Sequence, residues 1–372
     1  MMKKTKSRLN AEQSKLLTRV MTMGSGTALP VSMSEAELSK LIGVIYSDIG
    51  VLEMLEDNFA DLRASITPPV DSYYEIPDAW FEGEVPLKPE QHIDLMLSGM
   101  NDIEDFTTYL SCLSELHKRR RKYSMILAAQ PMPTMIQVSP RALIEYGCTD
   151  TQALASWLTW RKFFYDLDNR AAQETGYLFE PILAAALGGE RKSDKSKVVT
   201  RTSNSEKGRQ VDCWKVLPDG TKLAYEFKLR VTIAASGQGR FAEEIQFAVD
   251  AKNSGARPIL IVLDPTMNPR LDDLQTAFRD QGGEAYLGED AWNHLEEEAG
   301  DVMSRFIDRY VHEPIKNVSE FERSETGRAH LALLDFGASY KGSEVIFTLG
   351  GHVRSISRQE VIELADDSED EP

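Results

Sequence analysis

The stretch "RQVDCWKVL-PDG-TKLAYEFKLRV", residues 209–231, constrains the fold more than any other part of the chain. Two runs of strand-forming residues flank Pro218, Asp219 and Gly220, which are strong turn formers. Side chains alternate across a strand with period two. Leu223, Tyr225, Phe227 and Leu229 therefore share one face, and Glu226 and Lys228 share the other. A three-residue loop pairs Leu217 with Thr221, and counting outward sets Asp212 opposite Glu226. Directly opposed residues on one face bring their Cβ atoms within roughly 4.5–5.5 Å. Two carboxylates that close repel unless a positive group sits between them. A hard divalent cation such as Mg²⁺ suits that place, because it accepts carboxylate oxygens and keeps several waters. Lys228 lies within reach of a water on such a cation. A Glu-x-Lys on a strand face is ordinarily a surface salt pair. Here the opposing acid, the apolar strand and the basic surroundings argue for a site.

The flanking pattern predicts an α/β architecture. "GYLFEPILAAALGG" reads as a helix with Pro181 in its first turn and Gly188–Gly189 as its stop. "KVVTRTS", "RQVDCWKVL" and "TKLAYEFKLRV" read as three strands, and "GRFAEEIQFAVDAKN" as a helix. "PILIVLD" is an apolar strand buried on both faces. This order of helix, three strands, helix and strand predicts a mixed sheet. "RLDDLQTAFRDQG", "EAYLG" and "EDAWNHLEEEAGDVMSRFIDRYVHE" add helix, strand and helix. Residues 1–135 read as a mainly helical N-terminal region, with Ser34 capping "SEAELSKLIGVIYSDI". The proline-rich 67–89 interrupts that region as a loop, and "AAQPMPTMIQVSP" marks a boundary. The core then spans 136–312, and 313–372 is a C-terminal extension in which "SEVIFTLGGHVRSI" reads as a hairpin.

Charge is distributed unevenly. The chain of 372 residues carries a net charge of −17, yet residues 190–240 hold 12 Lys or Arg against 6 Asp or Glu. That zone can bind a polyanion although the whole chain is acidic. Lys195, Lys197, Arg201 and Arg209 are its candidate phosphate contacts. The first twenty residues add a second basic stretch, and "HKRRRK", 117–122, is either a backbone clamp or the solvated end of a helix. The last ten residues contain six acids and read as a solvated tail. Three unclustered cysteines argue against disulfides and zinc and for a reducing cytoplasm. No apolar run is long enough to span a bilayer, and no signal peptide is evident. A phosphate loop, a Gly-x-Ser-x-Gly elbow and paired histidines are missing from the sequence, which turns the reading away from nucleotide, acyl-transfer and zinc chemistry.

Asp212, a hairpin turn and then Glu226-Phe227-Lys228 resemble the PD-(D/E)XK nuclease superfamily. The order of elements is similar to that superfamily's restriction-endonuclease-like core. Val211 stands where the motif name has Pro. The resemblance covers about residues 170–265. It implies that Asp212, Glu226 and Lys228 are catalytic, with the two acids holding Mg²⁺, and that Glu180 on the preceding helix joins them. "EFKLRVTIAASGQGRFAEEIQFAVDA" resembles the type II restriction endonucleases, in particular the ApaLI-like group. That resemblance implies sequence-specific cleavage of double-stranded DNA, 5′-phosphate and 3′-hydroxyl ends, and a homodimer matching a two-fold site. In "AASGQGR", Ser236, Gln238 and Arg240 are candidates to reach phosphates or base edges, since Gln suits adenine and Arg suits guanine. The same residues also suit the first turn of a helix. Gln246 is either a site residue or a solvated helix position. A repair, resolvase or methyl-directed nuclease on the same core, and an inactive DNA-binding protein, remain alternatives at this level.

Overall fold

The computed structural model describes residues 9–23, 29–138, 150–175, 179–228, 238–263, 269–317 and 336–358. The chain divides into two compact units. One comprises Met1–Met21, Ser34–Glu115 and Leu178–Asn317, and the other comprises Thr22–Met33, Leu116–Tyr177 and Val318–Pro372.

In the first unit a five-stranded mixed sheet runs, edge to edge, Glu190–Lys192, Val211–Val216, Lys222–Lys228, Arg257–Val262 and Glu284–Leu287. The first two pairings are antiparallel and the last two parallel. The antiparallel step is made by the expected turn. Leu217 N donates to Thr221 O at 2.9 Å and Gly220 N donates to Leu217 O at 2.9 Å. Asp219 Oδ1 accepts from Thr221 N at 2.8 Å. Gly220 has φ +86°, a backbone state that costs glycine little. The register that follows, Cys213 opposite Tyr225 and Trp214 opposite Ala224, is the register expected from the loop length.

The parallel steps need crossovers, and helices Gln238–Asn253 and Pro269–Asp280 supply them. Ala224, Leu260 and Val262 of the sheet pack with Phe247, Ala248 and Ala251 of the first helix and Leu271, Leu274 and Phe278 of the second. Burying each large apolar side chain there contributes about 1.5–3 kcal/mol. The Arg257–Val262 strand, buried from Pro258 onward, is the doubly covered strand that its composition predicts. On the opposite face Cys213 approaches Ala184 of helix Glu180–Ala186, and Tyr225 contacts His294 of helix Glu289–Ile307. Gly189 permits the first approach: a Cβ there would meet Cys213 Sγ at 2.4 Å.

One strand assignment requires correction. Within "KVVTRTS" only Thr200–Arg201 is a strand, and it pairs with Asn204–Gly208 in a separate two-stranded ribbon. The outer strand of the main sheet is Glu190–Lys192, directly after the helix stop. Val199 is drawn into the core, but the segment after it is polar and turns back on itself within a few residues.

Helix Glu35–Ile49 of the first unit opens with a capping box. Ser34 Oγ accepts from Glu37 N at 3.1 Å and Glu37 Oε2 accepts from Ser34 N at 2.7 Å. Helix Glu35–Ile49 then runs to Gly50 in the left-handed region. Within this unit Tyr109 and Tyr310 both donate to the Asp48 carboxylate.

The second unit holds a three-stranded antiparallel sheet, Phe336–Tyr340, Glu344–Leu349 and His352–Ser357. Its last two strands form the expected hairpin, with positive φ at Gly350 and Gly351 as a two-residue turn requires. Leu29, Ile126, Leu127, Phe163 and Leu167 form a core, against which Phe347 and Ile356 pack. The "HKRRRK" run lies in the interior of helix Phe106–Ala129 rather than at its end. Lys118 and Lys122 are fully buried, and Lys118 Nζ donates to Thr22 O at 3.2 Å. Those two lysines are thus withdrawn from solvent, while Arg119, Arg120 and Arg121 stay partly exposed, which corrects the reading of the run as a solvated helix end.

Candidate active site

The register places Asp212 and Glu226 at the same end of the antiparallel pair, one step beyond Cys213 and Tyr225. Asp212 is buried; its Oδ2 accepts from Phe227 N at 3.0 Å and its Oδ1 from Gln210 Nε2 at 3.4 Å. Burial, aided by the negative charges of Glu226 and Glu180, pushes its pKa up to about 8. Glu180 is the first residue of helix Glu180–Ala186, followed by Pro181, where a missing N–H costs little. Burial also raises its pKa; Arg191 and Lys228 oppose the rise and Glu226 adds to it. Its Oε2 is buried with no hydrogen-bond partner among the described residues.

Glu226 Oε1 accepts from Lys228 Nζ at 2.8 Å. Lys228 also meets Glu244 Oε1 at 3.1 Å. Burial alone would lower the Lys228 pKa, but these two carboxylates outweigh it and hold the group above its usual value. Lys228 is therefore a cation here. The structure thus gathers all four catalytic candidates, Glu180, Asp212, Glu226 and Lys228, into one electrostatic cluster. It adds Glu244, which sequence reading missed. "AEEIQFAVD" is an ordinary amphipathic helix by pattern, and only packing against the sheet tells Glu244 from Glu243. Gln246 is half-buried, and its Nε2 donates to Asp250 Oδ1 at 3.1 Å.

Glu180, Asp212, Glu226 and Glu244 gather near the Lys228 ammonium, with Arg191 also acting on Glu180, in a poorly hydrated place. The carboxylates offer hard oxygens, and among the described residues Glu180 and Glu244 each keep a buried oxygen without a partner. The chemistry of such a set suits a hard divalent cation. A second group, Glu296, Asp308 and His312, brings one donor atom each within 4.8 Å. There His312 Nδ1 lies 3.1 Å from Glu296 Oε1 and its ring stacks on Trp292, so the ring is satisfied by protein partners.

The basic candidates have different fates. Lys195 and Lys197 are exposed around the short turn Asp194–Ser196, and Lys197 pairs with Glu206 at 3.2 Å. Arg201 pairs with Glu243 at 2.6 Å and stays partly exposed. Arg209 is buried and bound to Asp250, with Glu243 at 3.1 Å. Asp250 also accepts from Thr202 N at 2.7 Å, and these hydrogen bonds overcome burial to lower its pKa. Arg209 is thus buried and engaged by Asp250 and Glu243 rather than presented on an open basic surface. Arg209→Ala should cost about 3–5 kcal/mol, because it strands a buried Asp250 charge. Urea denaturation checks this; a loss under about 1 kcal/mol would show that the network is dispensable. Gln238 and Arg240 open helix Gln238–Asn253, so the loop reading gives way to a first helical turn at those two positions. Ser236 lies outside the described residues.

Comparison with known proteins accords with this geometry. A family model described as ApaLI-like restriction endonuclease matches residues 60–312. A curated relative, "Type II restriction enzyme ApaLI" from Acetobacter pasteurianus, is 54% identical over 371 residues, covering 99% of each chain. A match spanning the sheet, its helices and the acid cluster, with that identity along nearly the full length, places the chain in the ApaLI-like restriction endonuclease family.

Proposed function

We propose that this type II restriction endonuclease hydrolyses DNA phosphodiester bonds in a Mg²⁺-dependent reaction at the Asp212–Glu226–Lys228 cluster. The cut is sequence-specific, acts on double-stranded DNA and leaves 5′-phosphate and 3′-hydroxyl ends. The observation that carries the reading is the closeness of buried Asp212 to Glu226 and Lys228, one step beyond the Cys213–Tyr225 pair of the hairpin. When bound, Mg²⁺ supplies a water of lowered pKa and offsets charge on the phosphate. Asp212 and Glu226 would hold it, and Glu180, close to Glu226 and Lys228, would add to the same negative cluster. Lys228 is kept as an ammonium, so its part is to orient the attacking water and to steady charge on the phosphoryl oxygens. A general-base role for Lys228 conflicts with two carboxylates holding its proton.

The mixed sheet and its two covering layers support a restriction-endonuclease-like core. A homodimer matches a palindromic site, with one acid cluster per strand. Among the described residues no helix is long and apolar enough to cross a membrane. Buried free Cys112 and Cys213 agree with a reducing cytoplasm.

Incubation of a plasmid of known sequence with Mg²⁺, beside a chelator control, tests the reading. Discrete Mg²⁺-dependent fragments are expected; a smear, or cutting that survives the chelator, would overturn it. Lys195, Lys197 and Arg201 should supply sequence-independent phosphate contacts. Reversing any one of them should weaken binding to cognate and scrambled duplexes alike and reduce the salt slope by about 0.9. Substitutions at Ser236, Gln238 or Arg240 should instead change the cognate-to-scrambled ratio. A salt slope untouched by the three reversals would place the DNA on another surface.

A further inference from the structure

Lys228 is held from two sides by elements that differ in origin. Glu226 belongs to its own strand and stands two residues away, with its Oε1 2.8 Å from Nζ. Glu244 comes from helix Gln238–Asn253, with its Oε1 3.1 Å from Nζ. Both carboxylates are largely shielded, with side-chain exposures of 17% and 14%. The second oxygen of Glu244 is buried and makes no hydrogen bond among the described residues. An ion pair that served only the fold would leave a costly unsatisfied acceptor there. The neighbouring Glu243 turns the other way, to Arg201 and Arg209, so Glu244 has been separated from the basic residues that its helix adjoins.

The two holds on Lys228 do not persist equally through the reaction. Glu226 is the carboxylate that the proposed function commits to the cation. A carboxylate drawn onto a cation is a weaker partner for an ammonium nearby, and it turns to suit the ion. Glu244 is anchored by a helix packed on the sheet through Phe247, Ala248 and Ala251, so its place does not depend on the ion. We propose that Glu244 is the positioning residue of this active site, holding the Lys228 ammonium over the reacting phosphate once Glu226 is engaged by the cation. The inference rests on the metal reading of Asp212 and Glu226 given above. It assigns to Glu244 no contact with DNA.

Glu244→Gln keeps the shape and removes the charge. Single-turnover cleavage at saturating enzyme should fall about 10- to 100-fold, the scale of loss when a reacting group is misplaced by about 1 Å. The Mg²⁺ concentration for half-maximal rate and the affinity for cognate DNA should stay within about twofold, since neither depends on where Lys228 points. Glu244→Asp, which restores the charge on a shorter arm, should recover part of the rate.

A second measurement does not use activity. In lysine-labelled protein the Lys228 ε-methylene signal, identified by its loss in Lys228→Arg, reports how firmly the side chain is held. Without metal, Glu226 alone suffices, and wild type and Glu244→Gln should look alike. With Mg²⁺ the wild-type signal should remain ordered, and the Glu244→Gln signal should become mobile. An equally ordered Lys228 in Mg²⁺-loaded Glu244→Gln would overturn the inference, as would an unchanged cleavage rate. A large rise in the Mg²⁺ requirement would do the same by making Glu244 a metal ligand. If Mg²⁺ neither perturbs the wild-type acids nor is needed for cutting, the metal reading itself fails and this inference falls with it.

Discussion

Asp212→Asn protein should melt above wild type at pH 8 without metal and, with Mg²⁺ added, should cut DNA about 10³-fold more slowly. The two effects have one origin. Asp212 is buried among Glu226 and Glu180, and its pKa stands at about 8 instead of near 4. In the pH range between these values the unfolded chain has released the proton and the folded chain keeps it. Stability of the metal-free protein therefore falls as pH rises from about 4 to about 8 and is lowest above it. The interval bounds the penalty at roughly 5–6 kcal/mol, and an observed value of about 2–3 kcal/mol is expected because the neighbouring acids relax around the charge. Asparagine has no charge to bury, so thermal melting at pH 8 should rise by about 5 °C, and at pH 4 the two proteins should coincide. Saturating Mg²⁺ should close the gap by stabilising wild type alone. The rate loss follows from the missing charge on the ligand, with about 4 kcal/mol of metal-assisted stabilisation corresponding to that factor. In wild type the rate should rise with pH as the acids ionise, and more Mg²⁺ should move that rise to lower pH, because ion and proton compete for the same oxygens. An Asp212→Asn protein that melts below wild type at pH 8 without metal would refute the account of its electrostatics. One that cuts at the wild-type rate would refute its place in the site.

Lys228→Ala should lower single-turnover cleavage by about 10²–10³-fold, as loss of one preorganised charge donor does. Cognate DNA should still bind, because Lys195, Lys197 and Arg201 lie elsewhere in the sequence and fold. The same change leaves Glu226 and Glu244 without their ammonium, so the metal-free protein should also lose about 1–3 kcal/mol. Lys228→Arg separates these effects. It keeps the charge and most of the stability, but its planar fork cannot occupy the point held between two carboxylates. It should fold, bind DNA and cut slowly. Full activity in Lys228→Arg would mean that a positive charge suffices whatever its geometry. Full activity in Lys228→Ala would return Lys228 to an ordinary ion pair.

Local chemistry explains why the hairpin was legible. Pro218-Asp219-Gly220 admits one tight loop, the loop sets the register, and period-two alternation decides which side chains share a face. The closeness of Asp212 and Glu226 follows from residues within one short segment. The same holds for the Ser34 capping box, the Gly350–Gly351 turn and the apolar Pro258–Val262 stretch, each of which depends on its immediate neighbours. The acid cluster was readable in three of its five members by this route, and Glu180 through resemblance.

Glu244 and Arg209 show where that route ends. Glu243 and Glu244 are adjacent and chemically identical, and a helix turn sends one to Arg201 and the other to Lys228 only because the helix packs on one face of the sheet. Arg209 looked like part of a basic surface, yet the core draws it inward to Asp250, a residue distant in sequence. The outer strand Glu190–Lys192 is short and polar, and its partner across the sheet, not its own pattern, makes it a strand. Turn geometry and alternation act over a few residues, and they suffice for the hairpin and its register. Which acid meets the lysine and which arginine is buried depends instead on contacts that arise only when a helix packs on the sheet.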